Sequence, residues 1–184
     1  MDNIQEHVKA ILEAIEHGPP LRPDLVKTPY RVQKAFEEIF SGYEVNIPGL
    51  FTVFEEDGED QIVTLRGIEF SSTCEHHLQT FYGHASVAYL PNKKVIGASK
   101  MGRLVQAYAH RLQIQERMGR QIADDMMKYL APKGVAVIIK ASHMCIKCRG
   151  LKSQDSELVT SIMRGTFREN QSSRMEVLNL IGEI

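Results

Sequence analysis

Ile4, Val8, Ile11, Leu12 and Ile15 recur at three- and four-residue intervals in an otherwise polar, acidic stretch, so Met1 to Gly18 reads as an amphipathic helix. Gly18-Pro19-Pro20 and Pro23 break the pattern. A second helix is expected from Thr28-Pro29, with Thr28 as N-cap and Pro29 at the first helical position, running towards Gly42 with Val32, Ala35, Phe36 and Ile39 on one face. Tyr43 to Asp60 is acidic and turn-rich. Gln61 to Phe70 and Phe81 to Leu90 read as strands, the second alternating Ala85, Val87 and Tyr89 with Ser86 and Ala88. Ser99 opens a helical stretch that continues to Leu130 with an irregularity at His110 to Gln113, and Pro132-Lys133-Gly134 ends it. Gly134 to Ile146 contains the β-rich run Val135-Ala136-Val137-Ile138-Ile139, Leu158 to Phe167 is the expected last strand, and Arg174 to Ile181 a terminal helix. This order of elements predicts an α+β fold with a largely antiparallel sheet.

Composition narrows the class. With 184 residues, 43% of them hydrophobic and 24% charged, the chain matches one globular unit and excludes a disordered, collagen-like or membrane-spanning protein. No apolar run approaches the ~20 residues of a membrane span, and no signal-peptide h-region is present, so the expected location is the cytoplasm and no membrane partner is expected. The net charge of -1 hides an asymmetry: residues 1–70 carry 6 Lys+Arg against 14 Asp+Glu, and residues 71–184 carry 16 against 9. An anionic partner held mainly by the C-terminal two-thirds fits this split, whereas a nucleic-acid-coating surface does not fit the overall balance. In a reducing cytosol the three Cys are first tested as metal ligands.

Cys74-Glu75-His76-His77 sets a thiol and an imidazole three residues apart, and a third strand ends in His143-Met144-Cys145, with 143 and 145 expected on one face. The donors suit Zn²⁺. Cys74, His77 and Cys145 as the only ligands leave a fourth position for water, whose pKa zinc lowers to about 7. If Cys148 also binds, the site is a closed Cys3His structural zinc, although 145 and 148 face opposite sides of a strand unless the chain turns. Unligated buried Cys with surface His is the third reading. The zinc nucleobase deaminase signature is absent, because Glu75 precedes the histidines and Met144 stands where Pro is needed.

Ser99-Lys100-Met101-Gly102-Arg103 opens a helix, where free N–H groups and two cations at i and i+3 offer a polyphosphate seat; a plain N-cap with solvated cations is the alternative. No Walker A or dinucleotide fingerprint occurs. Within Gln113-Ile114-Gln115-Glu116-Arg117, the Glu116 carboxylate accepts hydrogen bonds only and so matches the adjacent N1–H and N2–H donors of guanine. A surface pair with Arg120 is the plainer reading.

From Thr28 to Arg168 these segments together resemble the GTP cyclohydrolase I family. The matching pieces are Thr28-Pro29-Tyr30-Arg31-Val32, Phe40-Ser41-Gly42, Ser72-Thr73-Cys74-Glu75-His76-His77, Tyr89-Leu90-Pro91, Gly97-Ala98-Ser99-Lys100, Gln113 to Arg117, and His143-Met144-Cys145 followed by Arg149-Gly150. The resemblance implies a tunnelling fold: a four-stranded antiparallel sheet with a helix pair on one face, plus N-terminal helices. Residues 1–60 would be an N-terminal helical region and 61–184 the catalytic region of one structural unit. It implies a homodecamer of two stacked pentamers with sites between subunits, one Zn²⁺ per subunit, and conversion of GTP and water to formate and 7,8-dihydroneopterin triphosphate.

The implied zinc ligands are Cys74, His77 and Cys145, with water in the fourth position. Cys148 lies where relatives commonly carry a non-ligand such as Met or Ala. The implied roles give His143 the protonation of guanine N7 during attack at C8, His76 the ribose oxygen, and Ser99 the later carbohydrate rearrangement. Glu116 with Gln115 would hold the guanine edge, and Lys100, Arg103, Arg149, Arg31 and Lys34 the triphosphate, some from another subunit. The rivals are a non-catalytic zinc-stabilised nucleotide-binding module and another tunnelling-fold enzyme. Relatives of the latter kind resembling 6-pyruvoyltetrahydropterin synthase use a three-histidine site that this sequence lacks.

Overall fold

A computed structural model describes residues 3–55 and 61–182. The chain divides into two compact units, Met1–Ser41 and Gly42–Ile184. The boundary expected between residues 60 and 61 borders residues 56–60, which lie outside the described residues together with the end of the acidic stretch.

In the first unit, helix α1 (Ile4–Ile15) packs on α2 (Thr28–Ile39), and Gln5 Nε2 donates to Gln33 Oε1 at 2.7 Å across them. Thr28 is not the cap of α2 but its first residue. Lys27 already has helical angles (φ -90°, ψ -5°), and its carbonyl takes the first intrahelical bond, from Arg31 N at 3.2 Å.

The second unit contains β1 (Val53–Glu55), β2 (Val63–Cys74), β3 (Gln79–Leu90), β4 (Lys94–Ile96), α3 (Ala98–Ala109), β5 (Leu112–Gln113) and α4 (Gln115–Asp125). A π-helical turn at Met126–Leu130 leads on to β6 (Gly134–His143), α5 (Met144–Lys147), β7 (Leu158–Gly165), α6 (Thr166–Glu169) and α7 (Gln171–Ile181). The sheet order is β5-β2-β3-β6-β7. Four long strands are antiparallel, and the two-residue β5 adds a parallel edge to β2. β1 and β4 form a separate antiparallel ribbon.

Both faces of β6 are covered, which explains its unbroken apolar run. Val135, Val137, Ile139 and Ala141 face one core with Phe81, Ala85, Val87 and Tyr89 of β3, under Leu104, Val105, Met118 and Ile122 of α3 and α4. Ala136 and Ile138 face a second, smaller core with Met163, Phe167 of α6 and Val177 of α7. Gly119 brings α4 close to the sheet, since a Cβ there would lie 3.0 Å from Ile162 Cδ1 and 3.3 Å from Ile139 Cδ1. That approach seats the first turn of α4 against β6 and β7.

Several expected boundaries change for physical reasons. β2 runs past Phe70 to Cys74, because the polar Ser71, Ser72 and Thr73 stay paired to Tyr82, Phe81 and Thr80. The long helix is two helices, parted where Leu112–Gln113 pairs beside Thr73–Cys74. β6 stops at His143, not Ile146: it loses its β7 partner beyond Ala141 and its β3 partner beyond His143, and the chain closes its next bonds locally as α5. β7 stops at Gly165, whose positive φ of 55° turns Phe167 into the second core. α7 starts earlier than expected, where Asn170 Oδ1 accepts from Ser173 N at 3.0 Å.

Candidate active site

One end of the sheet gathers the chemistry. Ser72, Phe81 and His143 are direct neighbours on β2, β3 and β6, and Cys74 stands two residues beyond Ser72 on the same face. The chain turns at Glu75–Leu78, with Leu78 N donating to Cys74 O at 2.9 Å and Leu78 itself left-handed (φ 52°). Glu75 N donates to Gln113 O of β5 at 3.0 Å. Arg117 of α4 grips the Glu75 carboxylate with both arms, Nη1 to Oε2 and Nη2 to Oε1, the latter at 2.9 Å. The hydrogen bond and charge of Arg117 hold the Glu75 carboxyl below its ordinary range, and Glu75 in turn raises the guanidinium. The turn that carries His76 and His77 is thus tied to two elements. Sequence reading missed this pair, although each partner stands in a recognised motif.

Cys74 is buried and Cys145 half-buried, and Cys145 lies near enough to feel the Cys74 thiol. Burial pushes the Cys145 thiol up, the neighbouring Cys74 adds to that, and the Arg149 charge opposes it. Cys145 reaches this position on the helical turn α5 and not by strand alternation, so the expectation that 143 and 145 share a strand face is corrected. The same turn removes the objection to a Cys145 and Cys148 pair. The Cys148 thiol is exposed, however, and donates to Met144 O at 2.8 Å, with Gln79 Oε1 at 3.8 Å.

His143 is 8% exposed, and its ring stacks on Phe81 with centroids 4.7 Å apart and planes 5° apart. Burial lowers its pKa from the usual imidazole value, and the Glu116 charge opposes that. Its Nε2 lies 2.8 Å from Oε1 of Gln115, the first residue of α4. Gln115 is wholly buried, and its Nε2 donates to Ile139 O, Leu158 O and Thr160 Oγ1 at 3.0, 3.0 and 3.2 Å. The sequence grouped Gln115 with Glu116; the structure separates them, since Glu116 is exposed while Gln115 is spent inside the protein.

His76 and His77 are exposed, with ring centroids 6.4 Å apart. Among the described residues no three His, Cys, Asp or Glu side chains are gathered as a metal-binding group, so His77 is not brought into one set with Cys74 and Cys145. Gly97 caps α3, Ala98 begins it, and Ser99, Lys100 and Arg103 follow on its first turns. Ser99 and Arg103 are exposed and Lys100 half-buried; among the described residues the two cations make no ion pair, and Glu116 makes none with Arg120. Arg31 and Lys34 are exposed on α2 of the first unit, with Lys34 Nζ 2.8 Å from Glu37 Oε2. A cavity of about 500 Å³ opens on the opposite face of the sheet, lined by Arg66, His84, Ser86, Ile138, Lys140 and Ile181 among others, and none of the expected catalytic, substrate or metal residues lines it.

The whole chain, and not only this site, has known relatives. GTP cyclohydrolase 1 of Campylobacter jejuni (strain RM1221) is 47% identical over 178 residues, covering 96% of this chain and 93% of its own. GTP cyclohydrolase 1 of Coxiella burnetii (strain Dugway 5J108-111) is 46% identical over 182 residues, covering 98% of both. Among solved structures, the archaeosine synthase QueF-Like in the apo form aligns with a TM-score of 0.47 at 18% identity, over 58% of this chain and 96% of its own. The family model for GTP cyclohydrolase I matches residues 4–182, so the chain belongs to the GTP cyclohydrolase I family of hydrolases.

Proposed function

We propose that this protein converts GTP and water to formate and 7,8-dihydroneopterin triphosphate, the opening step of a pteridine route. The observation that carries the reading is the juxtaposition at one sheet end of Cys74 and Cys145 with the buried, positioned His143, inside a chain of this family. Two neighbouring thiols and an imidazole in the turn that begins at Cys74 are a borderline-soft set of donor types that suits Zn²⁺. Cys74, His77 and Cys145 would hold that ion, which when bound supplies Lewis acidity for hydrolysis. A reducing compartment such as the cytosol keeps both thiols available.

The residues of the chain divide the remaining work. Glu116, acceptor-only and exposed on the first turn of α4, would take the guanine N1–H and N2–H. His143 would give a proton to N7 as the ring opens and recover it afterwards, a role served by its fixed ring and shielding from bulk water. His76 would handle the ribose oxygen, and Ser99 the later rearrangement of the sugar. Lys100, Arg103 and Arg149 would meet the triphosphate, with Arg31 and Lys34 contributed by a neighbouring subunit of a tunnelling-fold homodecamer built from two stacked pentamers. Arg31, Lys34, Arg103 and Arg149 are exposed, as such an intersubunit seat requires.

Incubating the zinc-loaded protein with GTP should release formate and leave a product that becomes a fluorescent pterin after oxidation. Absence of formate from fully metallated protein would overturn the proposal in favour of a nucleotide-binding module.

A further inference from the structure

The hydrogen bonds around Gln115 settle which way its amide points, and through it which nitrogen of His143 carries hydrogen. One end of the amide lies 3.0 Å from Ile139 O and 3.0 Å from Leu158 O. Backbone carbonyls only accept, so the atom facing them must be the NH2 nitrogen. A flipped amide would set its oxygen against both carbonyls in a site with no exposure to water. Thr160 Oγ1, at 3.2 Å, accepts at the same end. The amide oxygen is therefore the atom 2.8 Å from His143 Nε2, and an oxygen that only accepts requires N–H on that nitrogen.

His143 has no latitude to change this arrangement by turning. Its ring lies flat on Phe81, and Phe81 is itself wholly buried and held edge-on by Phe70, with centroids 5.8 Å apart at 74°. Nδ1 is the free edge. It has no hydrogen-bond partner among the described residues, and it is not one of the buried polar atoms left unpaired, which are Thr64 Oγ1 and Gln113 Oε1. Nδ1 thus keeps some exposure, while Nε2 faces the wholly buried Gln115.

We propose that Gln115 is a positioning residue that locks His143 in its Nε2–H tautomer, so that every proton His143 exchanges with substrate passes through Nδ1. The part that concerns substrate rests on the function proposed above; the tautomer does not. Gln115 then acts through His143 and reads no base edge, which leaves the guanine edge to Glu116. Its three donor contacts bind α4 to β6 and β7, so the helix, the sheet and the ring are set by one side chain.

The test uses the full-length, zinc-loaded protein labelled with ¹⁵N at histidine, the His143 signals being assigned by their loss in His143→Ala. Long-range ¹H–¹⁵N correlation should show hydrogen on Nε2 and a lone pair on Nδ1. Hydrogen on Nδ1, or an even mixture, overturns the proposal whether or not the protein turns over GTP. Gln115→Met keeps the length and removes both ends of the amide. It should lower kcat by about 100-fold, with KM for GTP changing less than threefold, and should turn the His143 signals into a tautomer mixture. A raised KM with unchanged kcat would make Gln115 a substrate contact and overturn the proposal. If Gln115→Met does not fold, the wild-type spectrum alone decides. Failure of formate release would remove the functional reading and leave the tautomer measurement intact.

Discussion

Gln115 and His143 sit inside the protein with nearly all their polar atoms committed, whereas Ser99, Arg103, Glu116 and Arg149 stand at the surface and show no ion pairs among the described residues. The rim acts on the interior through charge alone: Glu116 is felt at His143 and Arg149 at Cys145. The buried side is assembled by one chain, because burial makes an unmet hydrogen bond costly and so fixes each partner. The rim pays no such penalty, since water satisfies its groups, and long side chains keep their rotamer freedom until a ligand arrives. A site built in this way has preset acid–base geometry and adaptable binding. Substitutions on the two sides should therefore differ in kind, with stability and kcat moving for the interior and KM or specificity for the rim.

Phe81→Ala is the most severe way to break the contrast. Phe81 is wholly buried, stacks on His143 and meets Phe70 edge-on. Truncation removes a large core side chain and leaves a cavity, so unfolding free energy should fall by about 3–5 kcal/mol in urea titration. Phe81→Leu, which retains most of the volume, should cost less than about 1.5 kcal/mol and yet free the His143 ring. A Leu variant with unchanged kcat would show that stacking does nothing for the chemistry and would reduce Phe81 to core filler.

Glu116→Gln probes the rim. Replacing one carboxylate oxygen by an NH2 sets donor against donor at the guanine edge, and losing a hydrogen bond to a charged group is worth about 1.5–3 kcal/mol, or roughly 10- to 100-fold in kcat/KM for GTP. Because Glu116 is exposed and, among the described residues, forms no ion pair with Arg120, thermal stability should not move measurably. Unchanged GTP kinetics would take Glu116 out of the base pocket, and a large fall in Tm would put it on the structural side of the comparison.

What the sequence made legible follows the same division. Local patterns were readable: the run in β6 reflects cores on both faces, and Cys74 and His77 fall in one turn because they are three residues apart. His143 and Cys145 were expected to share a strand face, but β6 ends at His143 and the chain carries Cys145 on a helical turn, because the strand partners run out there. Gln115 was grouped with Glu116 because an amide can serve a base edge or a backbone carbonyl equally well. What distinguishes the two uses is burial under a strand that arrives 45 residues later with Thr160. The Glu75–Arg117 pair, 42 residues apart, was hidden for the same reason. Non-local partners decide the buried half of the site, and periodicity carries no record of them. The rim cations remained readable as types because their chemistry needs only charge.

Cys148→Ala is the smallest expected effect, and it separates the two metal readings that spacing left open. Cys148 follows Cys145 on the turn of α5, close enough in sequence to complete a Cys3His site, and it is exposed like the rim. Its thiol is already engaged with Met144 O at 2.8 Å, whereas Cys145 is the thiol that neighbours Cys74. If Cys148 belongs to the rim, the Ala variant should retain one zinc per chain by metal analysis, keep its formate rate within about twofold, and shift unfolding by no more than ~0.5 kcal/mol. Cys145→Ala, which removes the thiol beside Cys74, should lose both zinc and formate release. Zinc loss in Cys148→Ala would make that thiol a fourth ligand, and a site closed by protein on all four sides has no position left for the water that hydrolysis consumes.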